Sequence, residues 1–212
     1  SAAFQFYLTG TYNMDHIISS ELLKAKLNES ARLKESLSSN LHLMQTFDQI
    51  VDAVISCYRN KGKVLFCGNG GSAADAQHLA AELSGRFYFD RSPLYSEALH
   101  VNTSYLTAVA NDYSYDEIYA RLLRAAGIKG DILIGLSTSG NSKNVINALM
   151  VAREQGMITI GFTGLGGGKM KSWCDYLIEI PSTDTPRIQE CHMLIGHTLC
   201  ERVESVLFRK NS

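Results

Sequence analysis

The stretch Lys63-Val64-Leu65-Phe66-Cys67-Gly68-Asn69-Gly70-Gly71-Ser72-Ala73-Ala74-Asp75-Ala76-Gln77-His78-Leu79-Ala80-Ala81-Glu82 decides the fold. Its apolar run reads as a buried strand, its three glycines and serine as a tight turn, and its alanine-rich continuation as a helix. A strand, a glycine turn and a helix N-terminus form an anion site, because unpaired N–H groups and the positive end of the helix dipole face the turn. His78 and Glu82 then stand four residues apart, on one face of the helix and about one turn from each other. Such a pair is ordinarily a solvated helix face. Here it follows a phosphate-type loop by two turns on an otherwise small, apolar helix, which makes it the polar pair nearest any bound ligand.

Beyond this stretch, strands and helices alternate. Ala98–Val101 reads as a strand, Tyr105 to Asp112 as helical, and Ile118–Ala126 as a helix ended by Gly127. Asp131–Leu136 is a buried strand by its aliphatic run, and it opens onto Ser137-Thr138-Ser139-Gly140-Asn141-Ser142. A helix over Val145–Glu154, strands over Met157–Phe162 and Tyr176–Ile180, and a long helix over Arg187–Phe208 complete the pattern. Strands separated by helices of ten or so residues imply a parallel α/β sheet with right-handed crossovers, with ligands beyond the carboxyl ends of the strands at the topological switch point. Both polar loops, 68–72 and 137–142, lie at that edge. Before the sheet, Ile18, Leu22, Leu23, Leu27 and Leu33 mark one amphipathic helix, and Leu43, Phe47, Ile50, Val51, Val54 and Ile55 another, with a break near residues 36–40. These helices either cover the domain's own core or pack against a neighbouring subunit, and the second reading is preferred because symmetric homo-oligomers are the usual assemblies. The chain is thus divided into residues 1–13, an artificial leader or natural extension before Met14; a helical segment, 14–60; and an α/β domain, 61–212.

Composition narrows the function. With 212 residues, 45% hydrophobic and 19% charged, the chain suits one globular domain with a helical extension. Twenty Lys and Arg against 21 Asp and Glu leave no basic excess for nucleic acid or for an anionic membrane surface. Five cysteines without a Cys-x-x-Cys pair suggest neither a disulfide framework nor a thiolate zinc site, and point to a reducing, cytoplasmic setting. No apolar run approaches the length of a membrane span and no leader pattern is evident.

Gly68-x-Gly70-x-x-Ala73 formally matches a dinucleotide fingerprint, but the ribose-binding acid expected about 20 residues on would be Asp90, in a polar, proline-containing stretch that reads as loop. No Gly-Lys-Ser/Thr follows, so the loop is not that of a nucleoside triphosphatase. The 137–142 loop has four hydroxyls in six residues. One serine would be an ordinary helix cap. Four exceed that need, and hydroxyls converging on a helix N-terminus hold phosphate without a lysine. On the last helix Gln189, Glu190, His192, His197 and Glu201 are further candidate ligands. Gln189 and His197 are eight residues apart, roughly 12 Å along a straight helix. If both serve one site, Gln189 sits at a frayed first turn or comes from another subunit.

Gly68-Asn69-Gly70-Gly71-Ser72, His78-x-x-x-Glu82-Leu83-x-Gly85-Arg86, Asn111-Asp112, Ser137-Thr138-Ser139-Gly140-Asn141-Ser142 and Arg187-Ile188-Gln189-Glu190-x-His192 together resemble the sugar isomerase (SIS) fold, and within it the phosphoheptose isomerase family. The resemblance covers nearly everything after Met14. It implies a three-layer α/β sandwich with a five-stranded parallel sheet, N-terminal helices used in oligomerisation, and a homotetramer with active sites at subunit contacts. The implied reaction takes sedoheptulose 7-phosphate to D-glycero-D-manno-heptose 7-phosphate, the first step toward the ADP-heptose of lipopolysaccharide. By matching motif, Ser137, Thr138, Ser139 and Ser142 hold the phosphate; Asn69, Gly70, Gly71, Glu82, Asn111, Asp112 and Gln189 contact the sugar; and His78, Glu82, Gln189 and His197 match zinc ligands, one ion per subunit. Ketose–aldose isomerisation moves a proton between adjacent carbons through an enediol, with Glu82 as base and His197 as acid. Two alternatives from other classes share the fold. One resembles the initiator-associating protein DiaA, which binds the replication initiator DnaA without turnover; the other is a sugar-phosphate sensor that dispenses with Glu82 and His197. Retention of His78, Glu82, Gln189 and His197 together favours the enzyme.

Overall fold

The structure, a computed structural model, describes residues 14–208, with side chains over 18–208; the reading of residues 1–13 lies outside the described residues. The chain divides at Ser39/Asn40 into two compact units. The first contains helix α1 (Met14–Ser38), with Ile18, Leu22, Leu23 and Leu27 all exposed. The second begins with α2 (Leu41–Arg59), where Asn40 caps the helix by accepting the Leu43 N–H at 3.1 Å. The sequence pattern groups α2 with α1 in one segment, 14–60; α2 in fact packs on the sheet domain, against its last strand and last helix.

Five strands, β1 (Val64–Gly68), β2 (Ser96–Ala98), β3 (Ile132–Ser137), β4 (Ile158–Thr163) and β5 (Tyr176–Glu179), form one parallel sheet in the order β2-β1-β3-β4-β5. Between and after them run α3 (Gly71–Ser84), α4 (Thr103–Asp112), α5 (Ile118–Ala126), α6 (Lys143–Glu154) and α7 (Thr185–Phe208), with 3₁₀ turns at Tyr115–Glu117 and Lys169–Trp173. This is the expected α/β sandwich. All residues of β1 and β3 are buried, because helices cover both faces of a doubly wound sheet. Leu65, Cys67 and Leu133 meet α4, α5 and α6 on one face, while α2, α3 and α7 cover the other.

One strand falls two residues earlier than its apolar pattern suggests. β2 is Ser96–Ala98, paired from Val64↔Ser96 to Phe66↔Ala98, and the Ser96 hydroxyl donates to the Val64 carbonyl at 2.9 Å. The Val101 N–H turns back to the Ala98 carbonyl, so Leu99–Val101 is a turn rather than strand. Register is set by the neighbouring strand, and a short edge strand contributes too few side chains to resist it.

With order 2-1-3-4-5, the direction of winding reverses between β1 and β3, and the loops leaving these two strands open a crevice at their carboxyl ends. Those loops are 68–72 and 137–142.

Candidate active site

α3 and α7 meet at Leu79 and Gly196. A Cβ on Gly196 would stand 2.6 Å from both Leu79 methyl carbons, so the helices approach as closely as they do because position 196 has no side chain. The adjacent residues are thereby brought face to face. His197 Nε2 lies 3.1 Å from His78 Nε2, which lies 3.1 Å from Glu82 Oε1. All three donor atoms fall within 4.8 Å of one another. Two imidazole nitrogens at this separation share one proton between them, or turn both lone pairs toward one cation. Two imidazoles and a carboxylate are a donor set suited to zinc. A cavity of about 410 Å³ lined by Ala74, Gln77, His78, Ala81 and Glu82 borders the group.

The far end of the crossing is clamped. Glu204, 1% exposed, accepts the Phe87 N–H at 2.9 Å, the Tyr88 N–H at 2.7 Å and Arg91 Nε at 2.9 Å. Arg91 donates in turn to the carbonyls of Glu82, Leu83, Gly85 and Ser92. Burial alone would raise the Glu204 pKa; the Tyr88 and Phe87 N–H donors and Arg91 outweigh it and hold the carboxyl below the usual range. The pair therefore locks the end of α3, which carries Glu82, onto α7, which carries His197.

At the switch point, Ser137 Oγ donates to Ser142 Oγ at 3.0 Å. Ser142 occupies the cap position of α6, yet its hydroxyl makes no bond onto the helix. Gly140, at φ +64°, packs so tightly on the Gly167 and Gly168 backbone that no other residue fits. The Met170 N–H to Gly140 carbonyl bond and the Lys169 N–H to Asn141 Oδ1 bond secure the turn from outside. Ser139 is exposed and Thr138 half-buried. Asn69 and Asn144 exchange amide hydrogen bonds at 2.8 and 2.9 Å, and the Tyr115 hydroxyl donates to Asn69 Oδ1 at 3.0 Å. The Tyr119 hydroxyl donates to the Gly68 carbonyl, and burial pushes its pKa far up, so it stays a donor.

Gln189 stands in the second turn of an unbroken α7, not at a frayed end, and its Nε2 approaches Ser72 Oγ at 3.5 Å, beside Gly71. Its side chain therefore lies beside the glycine turn. Asn111 and Asp112 end α4 in exposed positions, bonded to each other at 2.9 Å. Glu190 pairs with Arg187, and Glu201 is exposed and outside the three-residue group. Asn144, Tyr115, Tyr119, Gly196, Arg91 and Glu204 were not singled out from sequence. A glycine inside a helix was the one local signal for Gly196.

His192 faces the sheet, not the site. It is fully buried, its Nε2 donates to the Thr163 carbonyl at 3.2 Å, and its Nδ1 has no partner. Burial pushes its pKa down from 6.5 to about 4, against the raising effect of the Thr163 bond. The folded state thus holds the neutral ring. Between pH 6.5 and 4 the unfolded chain binds a proton that the folded chain does not, so stability is present at higher pH and lost as pH falls. This group is expected to cost about 2 kcal/mol between pH 7 and pH 5. Urea midpoints for wild type and His192→Gln at both pH values check it: the variant should show the smaller drop, and equal drops would refute the assignment.

An α/β chain with a hydroxyl-rich anion turn at its switch point and a His–Glu–His group one helix away has the makings of a sugar-phosphate protein. Comparison with known proteins agrees. The SIS domain family model matches residues 27–164. "Phosphoheptose isomerase" of Aneurinibacillus thermoaerophilus is 49% identical over 189 residues, covering 89% of this chain and 96% of that protein. The structure of phosphoheptose isomerase GmhA from Neisseria gonorrhoeae superposes with TM-score 0.82 at 42% identity, covering 88% of this chain and 98% of the other. That of a phosphoheptose isomerase from Francisella tularensis gives 0.84 at 34%, with the same coverage. The chain belongs to the phosphoheptose isomerase family of SIS-domain proteins.

Proposed function

We propose that this chain isomerises sedoheptulose 7-phosphate to D-glycero-D-manno-heptose 7-phosphate in the cytoplasm, supplying the route to lipopolysaccharide heptose. The observation that carries the reading is the His78–Glu82–His197 group, brought together where α3 and α7 meet. In this reading Ser137, Thr138, Ser139 and Ser142 hold the phosphate at the N-terminus of α6, where N–H groups and the helix dipole favour an anion. Asn69, Gly70, Gly71, Asn111, Asp112 and Gln189 contact the sugar. Glu82 takes a proton from C1 of the open-chain ketose and returns it to C2. His197 gives a proton to the C2 oxygen and accepts one from the C1 oxygen, so the carbonyl moves from C2 to C1 with no net change in atoms or charge.

His78, Glu82 and His197 have the donor chemistry to hold zinc, with Gln189 as a fourth ligand. Zinc bound there would polarise the carbonyl and lower the barrier to proton abstraction. Gln189 approaches Ser72, beside the glycine turn. A homotetramer with interfacial sites accords with the exposed Ile18, Leu22, Leu23 and Leu27 of α1 and the half-exposed His78.

The test is incubation with sedoheptulose 7-phosphate while aldose formation is followed. Turnover is expected, with loss on chelation and recovery on adding zinc. A folded protein that gives no aldose in the presence of zinc rejects the isomerase. Undiminished turnover in demonstrably metal-free protein rejects the metal's role alone.

A further inference from the structure

The reciprocal amide pair Asn69–Asn144 spans the switch point, joining the loop after β1 to the first turn of α6. Its polarity can be deduced. The Val145 backbone N–H can only donate, and it donates to Asn144 Oδ1 at 2.9 Å. That assigns Asn144 Oδ1, which also accepts from Asn69 Nδ2, and leaves Asn144 Nδ2 as donor to Asn69 Oδ1. The Tyr115 hydroxyl, 3.0 Å from that same oxygen, must then be a donor too. Asn69 Oδ1 thereby has both acceptor positions filled, and one of the two Nδ2 hydrogens is engaged. A single N–H remains to meet a ligand.

From this geometry we infer that Asn144 is a positioning residue, with Tyr115 as its support: it fixes Asn69 as a pure hydrogen-bond donor to an oxygen of the sugar and registers the sugar loop against the phosphate turn. The inference rests on the proposed sugar-phosphate reading of the site. Asn144 is 2% exposed and does not itself reach a ligand. It belongs to the same helical turn that would bind the phosphate, so the distance between phosphate and Asn69 is set by two side-chain amides rather than by loop backbone alone. Asn144→Asp reverses the pattern at one atom. The carboxylate still accepts from Val145 and from Asn69, but its second oxygen now faces Asn69 Oδ1, and two acceptors repel. Asn69 must turn away, and its free N–H is no longer directed at the sugar. Tyr115→Phe removes one bond from the same oxygen without touching the core, since Tyr115 is half-exposed.

Calorimetric titration separates this role from a merely structural one, because the whole sugar phosphate and inorganic phosphate can be bound independently. Asn144→Asp is expected to bind sedoheptulose 7-phosphate about tenfold more weakly, and Tyr115→Phe about threefold, the scale of one or two lost hydrogen bonds. Inorganic phosphate should bind Tyr115→Phe within about twofold of wild type; Asn144→Asp also sets a negative charge in the phosphate turn, so its roughly tenfold loss for the sugar phosphate is read beyond its loss for inorganic phosphate. Wild-type affinity for the sugar phosphate in Tyr115→Phe and in a folded Asn144→Asp would overturn the inference. So would an equal loss for both ligands, which would mean general collapse of the crevice. If Asn144→Asp does not fold, Tyr115→Phe decides alone. Turnover is scored separately: a wild type that binds the sugar phosphate without isomerising it removes the proposed activity, while the variant affinities still test the role of Asn144.

Discussion

Glu82→Gln is expected to fold normally and to lose about 10²- to 10⁴-fold in kcat, the range in which a positioned general base operates. The substitution preserves the shape of the side chain. It also leaves intact the bond from Arg91 to the Glu82 backbone carbonyl, which ties down the end of α3. What it removes is the carboxylate beside His78 Nε2, and with it the only acidic side chain in the His–Glu–His group. Metal content read by mass spectrometry then divides the two roles assigned to this residue. Zinc retained with turnover lost identifies a base; zinc and turnover lost together identify a ligand first. A variant with wild-type kcat would end Glu82's candidacy while leaving the rest of the site to be reassigned.

The largest effect on stability is expected at Glu204. Its carboxylate and the Arg91 guanidinium are both about 1% exposed, and the carboxylate accepts two backbone N–H bonds besides the ion pair. Glu204→Gln leaves a buried, unneutralised Arg91 and should destabilise the fold by about 3–5 kcal/mol, the usual cost of removing one partner of a buried pair. Chemical denaturation measures this directly. The double variant Arg91→Met/Glu204→Leu should not recover the loss: it removes both charges but leaves the Phe87 and Tyr88 N–H groups and the carbonyls that Arg91 served without their partners. A single variant within about 0.5 kcal/mol of wild type would show that the clamp contributes nothing net, on the scale of an ordinary surface change.

The parts of the fold legible in the sequence were those in which a local pattern coincides with a buried run. The Val64–Phe66 and Ile132–Leu136 runs gave their strands because both faces of a parallel sheet are covered, and Ile118–Ala126 gave its helix to the residue. The break between α1 and α2 fell where Asn40 caps the second helix. β2 slipped because its register belongs to β1. Candidate site residues could be proposed from the sequence, but not their arrangement. Nothing local to Asn144 shows that it faces Asn69, 75 positions earlier, and nothing local to Glu204 distinguishes it from a solvated helical glutamate. Spacing along α7 raised the difficulty of placing Gln189 with His197, and nothing local to Gln189 shows that it approaches Ser72, 117 positions earlier.

The separations between the joined residues also order the site in time. Ser137 and Ser142 are five positions apart, Asn69 and Asn144 are 75, and His78 and His197 are 119. Closing the longest of these loops carries an entropic cost of about 4 kcal/mol, which only the packing of α7 can offset. An emerging chain therefore holds the hydroxyl-rich turn, with the Lys169 and Met170 bonds that secure it, about 27 residues before it has the histidine that faces His78. During synthesis, the turn proposed to grip phosphate precedes the histidine proposed to move a proton, and the helix that carries that histidine arrives after every strand of the sheet.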